Sequence, residues 1–168
     1  LPEKDVLAKV AFYFKDQELK ALQGRTTSLN EKNNALTRVI AMEERAWFQA
    51  LMSGREKLQL FVPLTGSCQF VRTKVLEELG GWDENSLTED VELALRLIEK
   101  NHHIQYAPDV CSGQETPNNL GSLVKQRIRW YRGTPYASLW PQRWRYTKPQ
   151  YRKYWPLSPA WGQSAHPS

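Results

Sequence analysis

The chain has 168 residues, 40% of them hydrophobic and 24% charged, a balance that excludes both a disordered polar chain and an all-apolar membrane bundle. Its net charge of +5 joins two unlike parts: residues 1–115 hold 14 Lys/Arg against 18 Asp/Glu, and residues 116–168 hold 9 Lys/Arg and no acid. Two cysteines, Cys68 and Cys111, cannot build a disulfide framework, three histidines add no metal-ligand spacing, and no apolar run is long enough to cross a bilayer.

There is no signal-peptide pattern, and a start at Leu1 rather than Met reads as not a natural one. Residues 4–15 read as a helix, with Val6, Leu7, Val10, Ala11 and Phe14 at helical spacing. Ala21 to Gln23 reads as a short strand ending at Gly24, and Arg25 to Asn30 as a polar connection. The longest helical pattern covers residues 31–52, with Leu36, Val39, Ile40, Trp47 and Leu51 as its apolar stripe. Glu43 falls on that stripe, either as a rim residue or as a buried acid, and the rim reading is the safer.

Leu58 to Val62 reads as a strand, and Gln69 to Arg72 as another, followed by a helical turn that Gly80-Gly81 ends. After the polar loop Trp82 to Asn85 comes a helix over 87–100, with Val91, Ala94, Leu95 and Ile98 facing the core. Ile104 to Tyr106 reads as a strand closed by Pro108. A last helix covers Leu120 to Arg132, before Gly133 and Pro135. Alternating helices and short strands predict an α/β fold.

Two sites carry chemistry. Ser86-Leu87-Thr88-Glu89-Asp90 opens a helix, with Ser86 and Glu89 at capping-box spacing and Thr88 as a second candidate cap. Glu89 and Asp90 then lie in the first turn, where the helix dipole and free N–H groups favour negative charge. Acidic first turns are ordinary, yet a carboxylate at an exposed helix tip also suits a general base. In Gln126-Arg127-Ile128-Arg129-Trp130, residues 126, 129 and 130 share one helix face. Leu120, Val124, Ile128 and Tyr131 form the opposite face and are expected to dock in a core. The polar face offers a guanidinium for phosphate and an indole for a sugar or base. A partly exposed amphipathic helix is the competing reading.

Thr65-Gly66-Ser67, Arg72, Gly80-Gly81-Trp82-Asp83-Glu84, Thr88-Glu89-Asp90 and Gln126 to Trp130, in this order, resemble the processive family 2 glycosyltransferases. That group includes cellulose, hyaluronan and chitin synthases. The resemblance covers about residues 1–135 and rests chiefly on the T-E-D triplet and the Q-x-x-R-W signature. It implies a GT-A fold, a Rossmann-like α/β domain. It also implies an inverting transfer of sugar from a nucleotide sugar, such as a UDP-sugar, to a growing polysaccharide. By the resemblance, Asp90 is the catalytic base, while Glu89 and Thr88 position the acceptor end and the helix. Gln126 and Arg129 contact the diphosphate, and Trp130 stacks on the acceptor sugar. Thr65, Gly66 and Ser67 line the acceptor site. Gln23-Gly24-Arg25 resembles a strand-end segment after the nucleotide-binding motif, and Glu115 with Pro117 an acidic-proline segment before the last helix.

The chain departs from the family in two respects, one being that the family's flanking membrane helices are not in this sequence. The D-x-D that holds Mg2+ or Mn2+, and an earlier uridine-binding Asp, are absent and are expected to precede Leu1. The metal therefore has no ligands here. The reading is an incomplete GT-A domain, its acceptor-side half, over residues 1–133, with weak or no activity by itself. Residues 134–168 form a basic, aromatic, Pro-rich tail. The tail reads first as a solvated terminus; the resemblance offers instead a membrane-interface segment at the cytoplasmic face of the plasma membrane, and its aromatic-basic interleaving also suits nucleic acid. A basic nucleic-acid-binding module is the competing function, and the acidic charge of residues 1–115 leans against it.

Overall fold

The computed structural model describes residues 1–138. Three strands form one sheet: β1 (Ala21–Ser28), β2 (Gln69–Val71) and β3 (Ile104–Gln114), in the order β2-β1-β3. β1 pairs antiparallel with β2, Leu22 opposite Phe70, and parallel with β3, Ala21 opposite Ile104. Helices α1 (Val6–Tyr13), α2 (Ala35–Arg45), α3 (Ser53–Lys57), α4 (Thr73–Glu78), α5 (Glu89–Glu99) and α6 (Leu120–Ser138) accompany it. A π-helical segment, Ala46–Met52, joins α2 to α3.

Apolar residues cover both faces of the sheet, as a sheet with a parallel pair requires. On one face Ala21, Ile104 and Tyr106 pack with Phe48, Met52, Val62, Leu64, Leu93 and Leu97. The Phe48 and Tyr106 rings stack with centroids 6.4 Å apart. On the other face Leu22, Ala107 and Val110 pack with Val6 and Leu19.

The sequence pattern misplaces several boundaries. β1 does not end at Gly24 but continues to Ser28. The ladder shifts there: Gln23 faces Tyr106 and Arg25 faces Cys111. A Cβ at Gly24 would lie 2.6 Å from both Cys68 Sγ and the Val110 carbonyl oxygen, so this close approach requires glycine. The extra residues of β3 include Pro108, which the bulge accommodates without ending the strand. Leu58 to Val62 is not a strand. Gln59 has a left-handed backbone (φ 52°), and the backbone here bonds to α3: Leu60 N–H to the Arg55 carbonyl, and Arg55 Nε–H to the Phe61 carbonyl.

The buried stripe of α2 and the π segment is Thr37, Ile40, Ala41, Phe48 and Met52, so Val39, Trp47 and Leu51 of the expected stripe lie outside. α2 starts at Ala35 rather than at residue 31, behind an Asn34–Thr37 capping box. Leu7 of α1 is exposed as well. α6 runs on through Gly133 and Pro135, which lower helix propensity without stopping it. Residues 139–168, most of the basic aromatic tail, lie outside the described residues.

Candidate active site

α5 begins at Glu89, with Thr88 as its N-cap residue. The expected capping box is not formed, and the Thr88 side chain makes no cap bond. Ser86 Oγ instead accepts from the Thr88 N–H at 3.4 Å. Asp90 is half-buried in the first turn and Glu89 beside it is exposed. Burial pushes the Asp90 carboxyl above its ordinary value. The Val91 N–H opposes that shift, the Glu89 charge adds to it, and the nearby Arg129 charge opposes it. Arg129, exposed on α6 and 39 positions on, is the weakest of these influences.

The segment Thr65-Gly66-Ser67 closes the other side. Gly66 has φ 73°, and a Cβ placed on it would lie 3.2 Å from Asp90 Oδ2. The segment is held by Gln23, whose side chain is fully buried in β1. Gln23 Oε1 accepts from Thr65 N–H at 2.9 Å, and Gln23 Nε2 donates to the Ser67 carbonyl at 2.9 Å and to the Gly24 carbonyl at 2.8 Å. Ser67 Oγ reaches Gln114 Oε1 at 3.5 Å, and Gln114 Nε2 donates to Glu44 Oε1 at 2.9 Å. A polar floor thus runs under the segment, from Gln23 near the start of β1 to Gln114 at the carboxyl end of β3.

The apolar face of α6 does not dock in a core as expected, while Arg129 and Trp130 of its polar face are exposed. Leu120, Val124, Ile128 and Tyr131 are exposed, while Leu123, Gln126 and Arg127 are partly buried. Polar contacts set that rotation. Arg127 Nη2 donates to Glu43 Oε2 at 2.5 Å, and Asn34 Nδ2 donates to the Asn118 carbonyl at 2.8 Å. Glu43 is therefore a rim residue, as expected, and its neighbour Glu44 is the inward acid. Trp130 retains 40% exposure. Gln126 shares the partly buried side of α6.

Other quoted residues are scaffold. Arg72 donates to the carbonyls of Leu19, Phe14 and Asp16, so it ties the connection before β1 to the end of β2. Gly80 and Gly81 both have positive φ and end α4, and Arg96 fastens that end by donating to the Leu79 and Gly81 carbonyls. Glu92 pairs with Arg96 at 2.6 Å. Glu115 is exposed, whereas Thr116 is buried and bonds Ser28 and Asn30. Sequence reasoning missed Gln114, Glu44 and Arg127 as parts of the site, and noticed Gln23 only by resemblance. Among the described residues no three His, Cys, Asp or Glu side chains gather in a group able to hold a metal ion. No step below is routed through a divalent cation. No helix among the described residues is long and apolar enough to cross a membrane.

Residues 1–165 match the family described as glycosyl transferase family group 2. Over 137 residues the chain is 30% identical to a Bacillus subtilis (strain 168) protein named probable glycosyltransferase YdaM, covering 78% of this chain and 33% of that protein. It is 28% identical over 130 residues to probable glucomannan 4-beta-mannosyltransferase 3 of Oryza sativa subsp. japonica, covering 77% of this chain and 24% of the relative. For probable glucomannan 4-beta-mannosyltransferase 11 of Arabidopsis thaliana the identity is 29% over 130 residues, with 77% and 29% covered. The chain thus spans about a third or less of the length of these relatives. With this family match, the mixed α/β architecture fits part of a GT-A fold. The chain belongs to glycosyl transferase family group 2.

Proposed function

We propose that this chain supplies the acceptor side of an inverting glycosyltransferase, one that moves a sugar from a nucleotide sugar to a growing β-linked glycan. The observation that carries the reading is the enclosure of Asp90: half-buried at a helix tip, against Gly66, and within the field of Arg129. A helix tip tolerates the charge of such a base, and burial raises the Asp90 carboxyl above its ordinary value.

In the proposed step, Asp90 takes the proton of an acceptor hydroxyl. The hydroxyl oxygen forms a bond to the anomeric carbon as the bond from that carbon to the diphosphate breaks. The bonding pair leaves on the diphosphate oxygen, where Arg129 and Gln126 meet the growing charge. Trp130 stacks on the terminal acceptor sugar, and Thr65, Gly66 and Ser67 line its path. Glu89 and Thr88 position the helix tip. The names of the plant relatives, glucomannan mannosyltransferases, favour a hexose polymer as acceptor and a cellulose synthase-like, processive subtype. A UDP-sugar donor and action at the cytoplasmic membrane face complete the proposal. The family match gives the nucleic-acid reading no support.

The test uses the enzyme that carries this chain. Asp90→Asn removes transfer while nucleotide-sugar binding persists. Near-normal turnover in that variant would sink the base assignment. Trp130→Ala weakens acceptor use more than donor binding, and an equal loss in both would point to a structural indole.

A further inference from the structure

The Trp130 ring has a cation on it. The guanidinium carbon of Arg127 lies 4.8 Å from the ring centroid, well inside cation–π range. Residues 127 and 130 are i, i+3 neighbours, so the helix permits this contact but does not select it. A free Arg side chain has many rotamers. The selection comes from α2: Glu43 Oε2 accepts from Arg127 Nη2 at 2.5 Å, across 84 positions of sequence. The bond from Asn34 to the Asn118 carbonyl fixes the start of α2 against the segment leading into α6. α2 therefore brackets α6 at two points, and one of them ends on the indole.

We infer that Glu43 and Arg127 are positioning residues that hold the Trp130 indole as the acceptor platform, and so set the enzyme's grip on the glycan. This inference rests on the acceptor-stacking reading of Trp130 given above. The ion pair is too exposed to matter much for stability, with 29% and 57% of the two side chains accessible. Its consequence is geometric: a stack on sugar C–H groups needs the ring held at one tilt. Trp130 keeps part of its surface open to a ligand. Arg129 is the residue directed at the diphosphate, and Arg127, two positions earlier, is engaged elsewhere. This separates the roles of the two arginines of the helix.

The experiment is a mutant cycle in the enzyme carrying this chain, with mannopentaose and cellopentaose, both β-1,4-linked, as acceptors. Glu43→Gln and Arg127→Gln each raise the acceptor KM about three- to tenfold, with donor KM unchanged within about twofold. Arg127→Lys keeps a cation over the ring and recovers most of the loss. In a Trp130→Ala background both glutamine substitutions become silent on acceptor KM. Undiminished effects in that background would overturn the inference, because the route would not pass through the indole. So would unchanged acceptor KM in both single variants while Trp130→Ala is impaired; that outcome leaves the stacking reading intact. If Trp130→Ala has no acceptor effect, the reading and the inference fall together. Equal rises in donor and acceptor KM would mark a merely structural ion pair.

Discussion

Gly66 and Asp90 are matched by the absence of a side chain: a Cβ on Gly66 would stand 3.2 Å from Asp90 Oδ2. Gly66→Ala therefore meets two penalties. A left-handed backbone, φ 73°, strains any L side chain by about 1–2 kcal/mol, and the new methyl crowds the proposed base. Gly80→Ala is the control, since its φ is 84° but nothing lies within 4 Å of its Cβ position. Both variants lose similar stability in thermal unfolding. Only Gly66→Ala also loses kcat, by about tenfold or more. An equal kcat loss in Gly80→Ala would mean that crowding of Asp90 is not the cause.

Gln23 holds the segment above Asp90 through its two amide atoms. Gln23→Leu fills the same buried space but leaves Thr65 N–H and the Ser67 and Gly24 carbonyls without their partner. Unpaired buried groups cost about 1–3 kcal/mol each, and relaxation of the segment recovers part of that. A net loss of about 2–4 kcal/mol is expected. Proteolytic cleavage within residues 64–68 becomes faster, and kcat falls. A variant with wild-type stability and cleavage would show that the segment holds itself.

What could be read from the sequence divides by range. The place of Asp90 in the first turn of α5 was legible because a helical period is local and lies within residues 87–98, although the expected capping box does not form. The Gly80-Gly81 stop was legible for the same reason. Gln23 was not, since a glutamine in a strand pattern gives no sign that it is fully buried against a loop 42 positions on. Only the core stripe of α6 was misread, since Arg129 and Trp130 are exposed as expected. Its apolar residues Leu120, Val124, Ile128 and Tyr131 match a core stripe by period, yet the pairing of Arg127 with Glu43 turns the other face inward. No local pattern encodes a partner 84 positions away. Gly24 looked like an end because strand glycine usually marks one, whereas here it relieves a close approach in mid-strand.

The pH dependence of transfer follows from the surroundings of Asp90. Burial, the largest influence, raises its carboxyl above the ordinary aspartate value, and the Glu89 charge raises it further. A base must be ionised, so kcat rises with pH through this raised value. Glu89→Gln removes a repelling charge and moves that limb to lower pH. Arg129→Gln removes an attracting one and moves it to higher pH, besides lowering kcat. Profiles of kcat against pH for the three enzymes check this. Shifts in the same direction for both variants would refute the electrostatic assignment.

Glu44 gives the last prediction. Its carboxyl is half-buried, and burial raises it above the ordinary glutamate value, against the bond from Gln114 Nε2 and with the Glu43 charge. The folded chain therefore binds the Glu44 proton more tightly than the unfolded chain does. The stability this group contributes is fully present below the unfolded pKa and is lost as pH rises through the folded one. Glu44→Gln keeps an acceptor for Gln114 Nε2 and carries no charge to desolvate. At pH 7.5 the variant should melt about 1–3 °C above wild type. The gap should close as pH falls below the ordinary glutamate range, where wild-type Glu44 is protonated in both states. Thermal unfolding from pH 3 to 8 measures it. A gap that stays constant across that range would show that Glu44 is ionised, and tolerated, in the fold.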